Sequence, residues 1–213
     1  MLLWSPLVTW AQSNDFGTEY SLSWQRKVTD GGNLSLSESL RMADNSRRYS
    51  RSATEIGYDQ SLLRSQLKPL GVKWSAGASY VFLNKDNFKG DYIKRHRMKV
   101  HTTASYTLGS WQLQYRLMYQ YSHRIEKKTH KDHIRNRLRL RYHNKGSRWS
   151  FNLSEECFVR LNQRNAIDEW RTQLSTEYRL GKHNSIELNF RRSQEWQVKK
   201  PETLYLIGVG YNL

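Results

Sequence analysis

The chain has 213 residues, with 35 Lys and Arg against 19 Asp and Glu, a formal charge of +16 and an isoelectric point near 10.0. A mean hydropathy of −0.86 without any apolar run near 18 residues excludes a helical membrane protein, because a spanning helix needs roughly 20 apolar residues. Disorder is excluded by an aromatic content of 13%, since unfolded chains are poor in bulky residues. Cys157 is the single cysteine, so an internal disulfide and the Cys-based zinc or dithiol motifs are ruled out.

Residues 1–11 read as the apolar end of a secretory signal, with Thr9 and Ala11 as the small residues before a cut ahead of Gln12, although the basic leading segment is missing. The remainder, residues 12–213, reads as a single domain organised with a period of two. Phe16 to Val28, Leu34 to Met42, Ser52 to Leu62 and Val72 to Phe82 alternate imperfectly. From there the code is clean. Met98, Val100, Thr102, Ala104, Tyr106 and Leu108 oppose Arg97, Lys99, His101, Thr103 and Ser105, Gly109-Ser110 turns the chain, and Trp111, Leu113, Tyr115, Leu117, Tyr119 and Tyr121 oppose Gln112, Gln114, Arg116 and Gln120. Ile134, Leu138, Leu140 and Tyr142 alternate with Arg135, Arg137, Arg139 and Arg141; Trp149, Phe151 and Leu153 follow after Asn144 to Ser147. Trp170 to Leu180 alternates with Arg171, Gln173, Glu177 and Arg179; Ile186 to Phe190 and Tyr205 to Leu213 close the chain.

Many of these strands run 10 to 13 residues, about twice the usual globular length but suited to a tilted crossing of a bilayer, which takes roughly 9 to 11. The segments number eleven, at odds with the even counts of bacterial single-chain barrels, and a barrel of about 10–12 strands is expected. Short links (Thr29 to Gly32, Gly109-Ser110, Asn144 to Ser147, Gly181 to Asn184) interleave with longer ones (Asn84 to Arg95, Glu126 to Asp132, Asn162 to Glu169, Gln197 to Thr203), Leu63 to Gly71 being the exception. Periplasmic turns are short and external loops longer in such barrels. An aromatic girdle of Trp24, Tyr106, Trp111, Tyr142, Trp149, Tyr178 and Tyr211 is expected at the short-turn boundary, with Tyr119, Tyr121, Trp170 and Tyr205 at the other. Glu38 and Glu155 break the pattern by sitting at apolar parity, and a register-resetting bulge near either would remove the conflict.

In its Ala-Gln-Ser-Asn-Asp-Phe-Gly stretch at residues 11–17, His96-Arg97, Arg135 to Leu140, Glu155 to Phe158, Glu169 to Arg171 and Ile207 to Tyr211, the chain resembles a family of small outer-membrane β-barrels of unknown function from Gram-negative, Bacteroidetes-type bacteria. The resemblance implies a closed antiparallel transmembrane β-barrel in the bacterial outer membrane, in contact with outer-membrane lipid and lipopolysaccharide and inserted by the barrel-assembly machinery. It implies no activity and no catalytic residues. Family members end in an aromatic, whereas this chain ends Tyr211-Asn212-Leu213.

At the polar parity, Arg97, Lys99, Arg116, Arg135, Arg137, Arg139, Arg141, Arg171 and Arg179, with Lys27, Arg41, Lys73, Arg160 and Arg191, face only Glu19, Glu55, Asp59, Glu156, Glu177 and Glu187. Such a surplus repels itself unless carboxylates, anions or water compensate it. Two outcomes follow: a cationic lumen that attracts small anionic solutes, as an anion-selective pore or an anionic-ligand binder, or an Arg–Glu network that fills the barrel. Two rival functions are an outer-membrane lipid-modifying hydrolase and a soluble basic nucleic-acid-binding β protein. For the first, His101 and Ser105 share a strand face but lie roughly 13 Å apart, beyond a nucleophile–base contact. For the second, arginines and aromatics occupy opposite parities, whereas a stacking platform needs both on one surface, so nucleic acid is not expected. His130 and His133 are two imidazoles without a third defined ligand, and neither a metal nor a cofactor is expected.

Overall fold

The computed structural model describes residues 13–87, 91–162, 166–196 and 202–213; the proposed signal at residues 1–11 lies outside them. Eleven strands are found among the described residues: β1 (Ser13–Thr29), β2 (Gly32–Ala43), β3 (Arg48–Leu62), β4 (Val72–Asp86), β5 (Tyr92–Leu108), β6 (Trp111–Arg124), β7 (Thr129–His143), β8 (Trp149–Arg160), β9 (Ala166–Arg179), β10 (Ser185–Glu195) and β11 (Glu202–Asn212). Each pairs with its sequence neighbour, and β1 pairs with β11 to close a barrel. Among the described residues no helix is long and apolar enough to cross a membrane.

The count of eleven lies within the expected range of 10 to 12, and the odd number dictates the seam. Successive strands alternate in direction, so the first and the eleventh run the same way. All sequence neighbours pair antiparallel, but β1 and β11 are parallel, in register from Ser13–Glu202 to Ser23–Asn212. The amide of Leu213 donates to the Ser23 carbonyl, continuing the ladder to the last residue. Ser13 and Leu213 consequently lie at opposite ends of the barrel.

Following paired residues round the wall from Trp111 leads through Tyr142, Phe151, Thr176, Leu188 and Val209. From Val209 the path continues to Tyr20, Leu40, Ser52, Asn84 and Lys94. Lys94 accepts from the amide of Ile125, just past β6, fourteen residues beyond the start. That stagger over eleven strands gives a tilt of roughly 40° and an interior somewhat wider than the eight-strand case that side chains just fill.

Links at one end, the turn end, are residues 30–31, 63–71, 109–110, 144–148 and 180–184; at the opposite, loop end they are 44–47, 87–91, 125–128, 161–165 and 196–201. The expected contrast between short and long links is not present. Charged residues assigned to loops belong to strand ends: Lys85 and Asp86 pair with Ile93 and Tyr92, and Thr129 to Asp132 pair with β6. Backbone pairing needs no apolar alternation, and ion pairs such as Arg48–Asp86, at 3.1 Å, hold these charged ends together. The exception, residues 63–71, is a short helix, α1 (Arg64–Leu67), followed by a 3-10 turn at Lys68–Leu70.

Register shifts occur at Lys27/Thr29, Arg41/Met42 and Phe158/Val159. None reverses Glu38 or Glu155, which both stay on the outer face in the middle of their strands. Their carboxylates are met by the wall itself. Thr54 donates to Glu38 at 2.5 Å; Trp170 Nε1 and the Thr172 hydroxyl donate to Glu155 at 2.7 and 3.0 Å.

Candidate functional site

Alternation divides the wall into an apolar exterior and a charged interior. Val100 and Leu113 are 59% and 47% exposed on the outside, whereas Glu156 is 5% exposed within. All seven girdle aromatics sit on the outer face near the turn end, where Trp111 packs on Tyr142 with ring centroids 4.8 Å apart and Trp149 packs on Tyr178 at 4.7 Å. Trp74 and Tyr58, exposed on neighbouring strands, extend this ring and went unnoticed in the less regular part of the sequence. These exposed aromatics thus lie on the opposite surface of the sheet from Arg135, Arg137, Arg139 and Arg141.

The interior changes character along its axis. From mid-height toward the loop end it is packed. Glu19 accepts from Arg41 at 2.6 Å and Arg191 at 2.9 Å, with Arg51 at 3.7 Å. Glu156 receives Arg135 at 2.9 Å on both oxygens, with Arg116 at 3.4 Å and Arg171 at 3.5 Å. The Arg135 and Arg171 guanidinium carbons lie 4.3 and 4.6 Å from the centroid of the Phe158 ring, a placement in which the π face offsets cationic crowding. Apolar side chains complete the layer: Leu206 is fully buried and Val81, Leu83 and Met118 nearly so. His133 and Arg160 share Asp168 at 2.9 and 2.6 Å. On the loop-end side of this layer lies a small polar cavity of about 200 Å³, bordered by Arg51, Lys85, Glu169 and Glu195.

Below the packed layer, toward the turn end, a vestibule of about 600 Å³ is lined by side chains from β1 to β7. Lys99 pairs with Glu55 at 2.6 Å and His101 with Asp59 at 2.7 Å. Both pairs reach across β4, and the second depends on Gly77: a Cβ there would lie 2.5 Å from Asp59 Oδ1 and 2.7 Å from His101 Cε1. On the facing wall, β7 presents Arg135, Arg137 and Arg139 to the cavity. Arg135 is taken by Glu156 and, nearer the turn end, Arg141 by Glu177 at 2.9 Å. Arg137 and Arg139 make no hydrogen bond or ion pair among the described residues, although Arg137 stands opposite Glu156 in the register. The carboxylate leans to Arg135 and leaves its direct neighbour without a partner. Buried charges in a low-dielectric interior normally acquire partners, so these two cations in a polar cavity mark the place where an external anion is best compensated.

A family model matches residues 16–203, and its description is "Protein of unknown function (DUF2490)". The chain belongs to the DUF2490 family. No curated protein matches it. Among solved structures, this DUF2490 chain is similar to an anion-selective porin from Comamonas acidovorans, with 13% identity and a TM-score of 0.39 over 89% of this chain and 56% of the porin. It is similar to the β domain of the Bordetella autotransporter BrkA, with 9% identity and a TM-score of 0.39 over 88% of this chain and 86% of that one. The ferric citrate transporter FecA matches at 14% identity and a TM-score of 0.32, over 80% of this chain and 33% of the transporter. The chain spans about half the length of the porin.

The nine cations expected inside the DUF2490 barrel separate by partner. Arg116, Arg135 and Arg171 share Glu156, Lys99 and Arg141 have carboxylates of their own, and Arg97, Arg137, Arg139 and Arg179 have none among the described residues. Arg97 stands at the level of the packed layer, opposite Val81 and Ser122, and Arg179 is exposed at the turn end. Sequence reasoning missed Arg51, Lys85, Glu169 and Glu195, which line the loop-end cavity; two lie in stretches read as loop, and Glu169 abuts the register shift on β9. His130 stacks on Tyr121 outside the wall while His133 is buried inside, so the two imidazoles point away from each other. No cluster of three metal-ligating side chains occurs among the described residues. His101 is held by Asp59, and no serine hydroxyl is hydrogen-bonded to it among the described residues.

Proposed function

We propose that this DUF2490 protein is an outer-membrane β-barrel that binds a small anionic solute in its turn-end vestibule. The observation that carries the reading is the pair of unpartnered guanidiniums, Arg137 and Arg139, on the wall of a cavity of about 600 Å³. The membrane setting is supported by a closed sheet whose exposed face is apolar and whose charges are buried, the inverse of a soluble barrel. In that setting the aromatic ring at the turn end is the interfacial girdle, and lipid and the lipid moiety of lipopolysaccharide contact the outer wall. The packed layer favours a binding vestibule over an open anion-selective pore, since the buried Glu19 and Glu156 networks occupy the cross-section.

The test is cell fractionation with heat-modifiable gel migration, followed by planar-bilayer recording of the refolded protein. The expected results are outer-membrane fractionation, a mobility shift on boiling, and little conductance in the wild type. A soluble fraction without a shift would overturn the membrane reading, and a large steady conductance would overturn the closed vestibule in favour of a pore.

A further inference from the structure

The vestibule is chemically two-sided, which narrows the class of anion it suits. One side is the β7 wall, where Arg137 and Arg139 offer planar guanidinium donors suited to the oxygens of phosphate. The other side, from β1 to β4, offers Gln25, Ser35, Ser75 and Ser79 together with the Asp59 carboxylate. Met118 is the one apolar side chain longer than a methyl group on the lining. A lipid tail or an aromatic acid would therefore lose water here without gaining apolar contact.

Five buried atoms on the lining have no hydrogen-bond partner among the described residues: the donors Arg116 Nε, Arg135 Nε and Arg137 Nε, the ring nitrogen His101 Nδ1 and the acceptor Gln114 Oε1; Gln114 is the cross-strand neighbour of Arg139. Buried polar atoms in folded proteins are almost always satisfied, so a ligand that fits must accept at the arginines and donate beside them. Asp59, tied to His101, accepts hydroxyl hydrogens and repels a second anionic end. The volume is in the range of small-molecule pockets.

Resting on the anion reading above, we infer that the vestibule binds a sugar phosphate: one phosphoryl group on Arg137 and Arg139, and a neutral polyhydroxylated body between Gln114 and the β1–β4 wall. Isothermal titration of the refolded full chain with glucose 6-phosphate, inorganic phosphate and glucose tests it. Glucose 6-phosphate is expected to bind at least about tenfold more tightly than inorganic phosphate, the worth of one or two added hydrogen bonds, and glucose alone more weakly than either. Arg137→Gln with Arg139→Gln abolishes both phosphate-bearing titrations, while Gln114→Leu weakens glucose 6-phosphate several-fold and leaves inorganic phosphate unchanged. Heat-modifiable migration confirms that each variant is folded. Equal affinities for the two phosphates, or a Gln114→Leu effect on both alike, would overturn the sugar-phosphate assignment and leave an unselective anion site. Absence of any binding in the folded protein would overturn the anion reading itself.

Discussion

The two halves of the barrel interior are built from the same residue types and arrive at opposite states. Toward the loop end, Glu19 and Glu156 each gather three guanidiniums, with Phe158, Val81 and Leu206 filling the gaps. Toward the turn end, three carboxylates are placed one to one, Glu55 on Lys99, Asp59 on His101 and Glu177 on Arg141, and Glu187 makes no ion pair among the described residues. The middle of the β7 arginine row is left over. Where a carboxylate is shared, cations close the lumen; where carboxylates pair one to one, the surplus cations line open space.

If the packed half is held by shared carboxylates, Glu156→Gln should have the largest effect. Arg116, Arg135 and Arg171 would lose their common anion, and removal of one partner from a buried ion network costs about 3–5 kcal/mol. The urea midpoint of the refolded protein should fall accordingly; an unchanged midpoint would mean that the apolar layer alone holds the plug. Gly77→Ala comes next. Its Cβ would meet Asp59, His101 and the Tyr58 carbonyl within 2.7 Å, and such overpacking costs about 1–3 kcal/mol. It should also disturb the β3–β5 side of the vestibule, so its stability loss should be accompanied by weaker anion binding. Glu38→Leu probes the exterior, where the carboxylate accepts a hydrogen bond from Thr54. In a bilayer this substitution should stabilise the barrel by about 1 kcal/mol, measurable as a higher urea midpoint in lipid vesicles; destabilisation would argue against a lipid-facing Glu38. The smallest stability change belongs to Arg137→Gln with Arg139→Gln, within about 0.5 kcal/mol of wild type, since neither side chain makes a hydrogen bond or ion pair among the described residues. In any variant that conducts, these substitutions should move the bilayer reversal potential toward cation preference, and an unmoved potential would show that the two arginines do not set the field of the vestibule.

Much of this architecture was legible in the alternation from Arg97 to Leu213, because a period of two places every side chain once a strand is recognised. The outer face of the seven turn-end aromatics and the inward parity of the β7 arginines could therefore be read from the alternation, whereas Arg179, assigned to the interior, is exposed at the turn end. Link lengths were not legible, since charged stretches such as Thr129 to Asp132 continue the backbone ladder without an apolar signature. Glu38 and Glu155 illustrate a different limit. A sequence rule treats an outward carboxylate as an error to be repaired by a bulge, whereas the tertiary structure supplies donors from the adjacent strand.

The sequence by itself determined an all-β wall with apolar and charged faces, because hydrophobic parity and strand length depend on local order along the chain. Only the tertiary structure decided that eleven strands close through a parallel seam, that the lumen is packed above and open below, and that Arg137 and Arg139 are the cations on the vestibule wall that make no hydrogen bond or ion pair among the described residues. Those outcomes depend on stagger and on which of several nearby guanidiniums each carboxylate reaches. Arg137 faces Glu156 in the ladder and still loses it to Arg135, a competition settled by side-chain geometry across three strands.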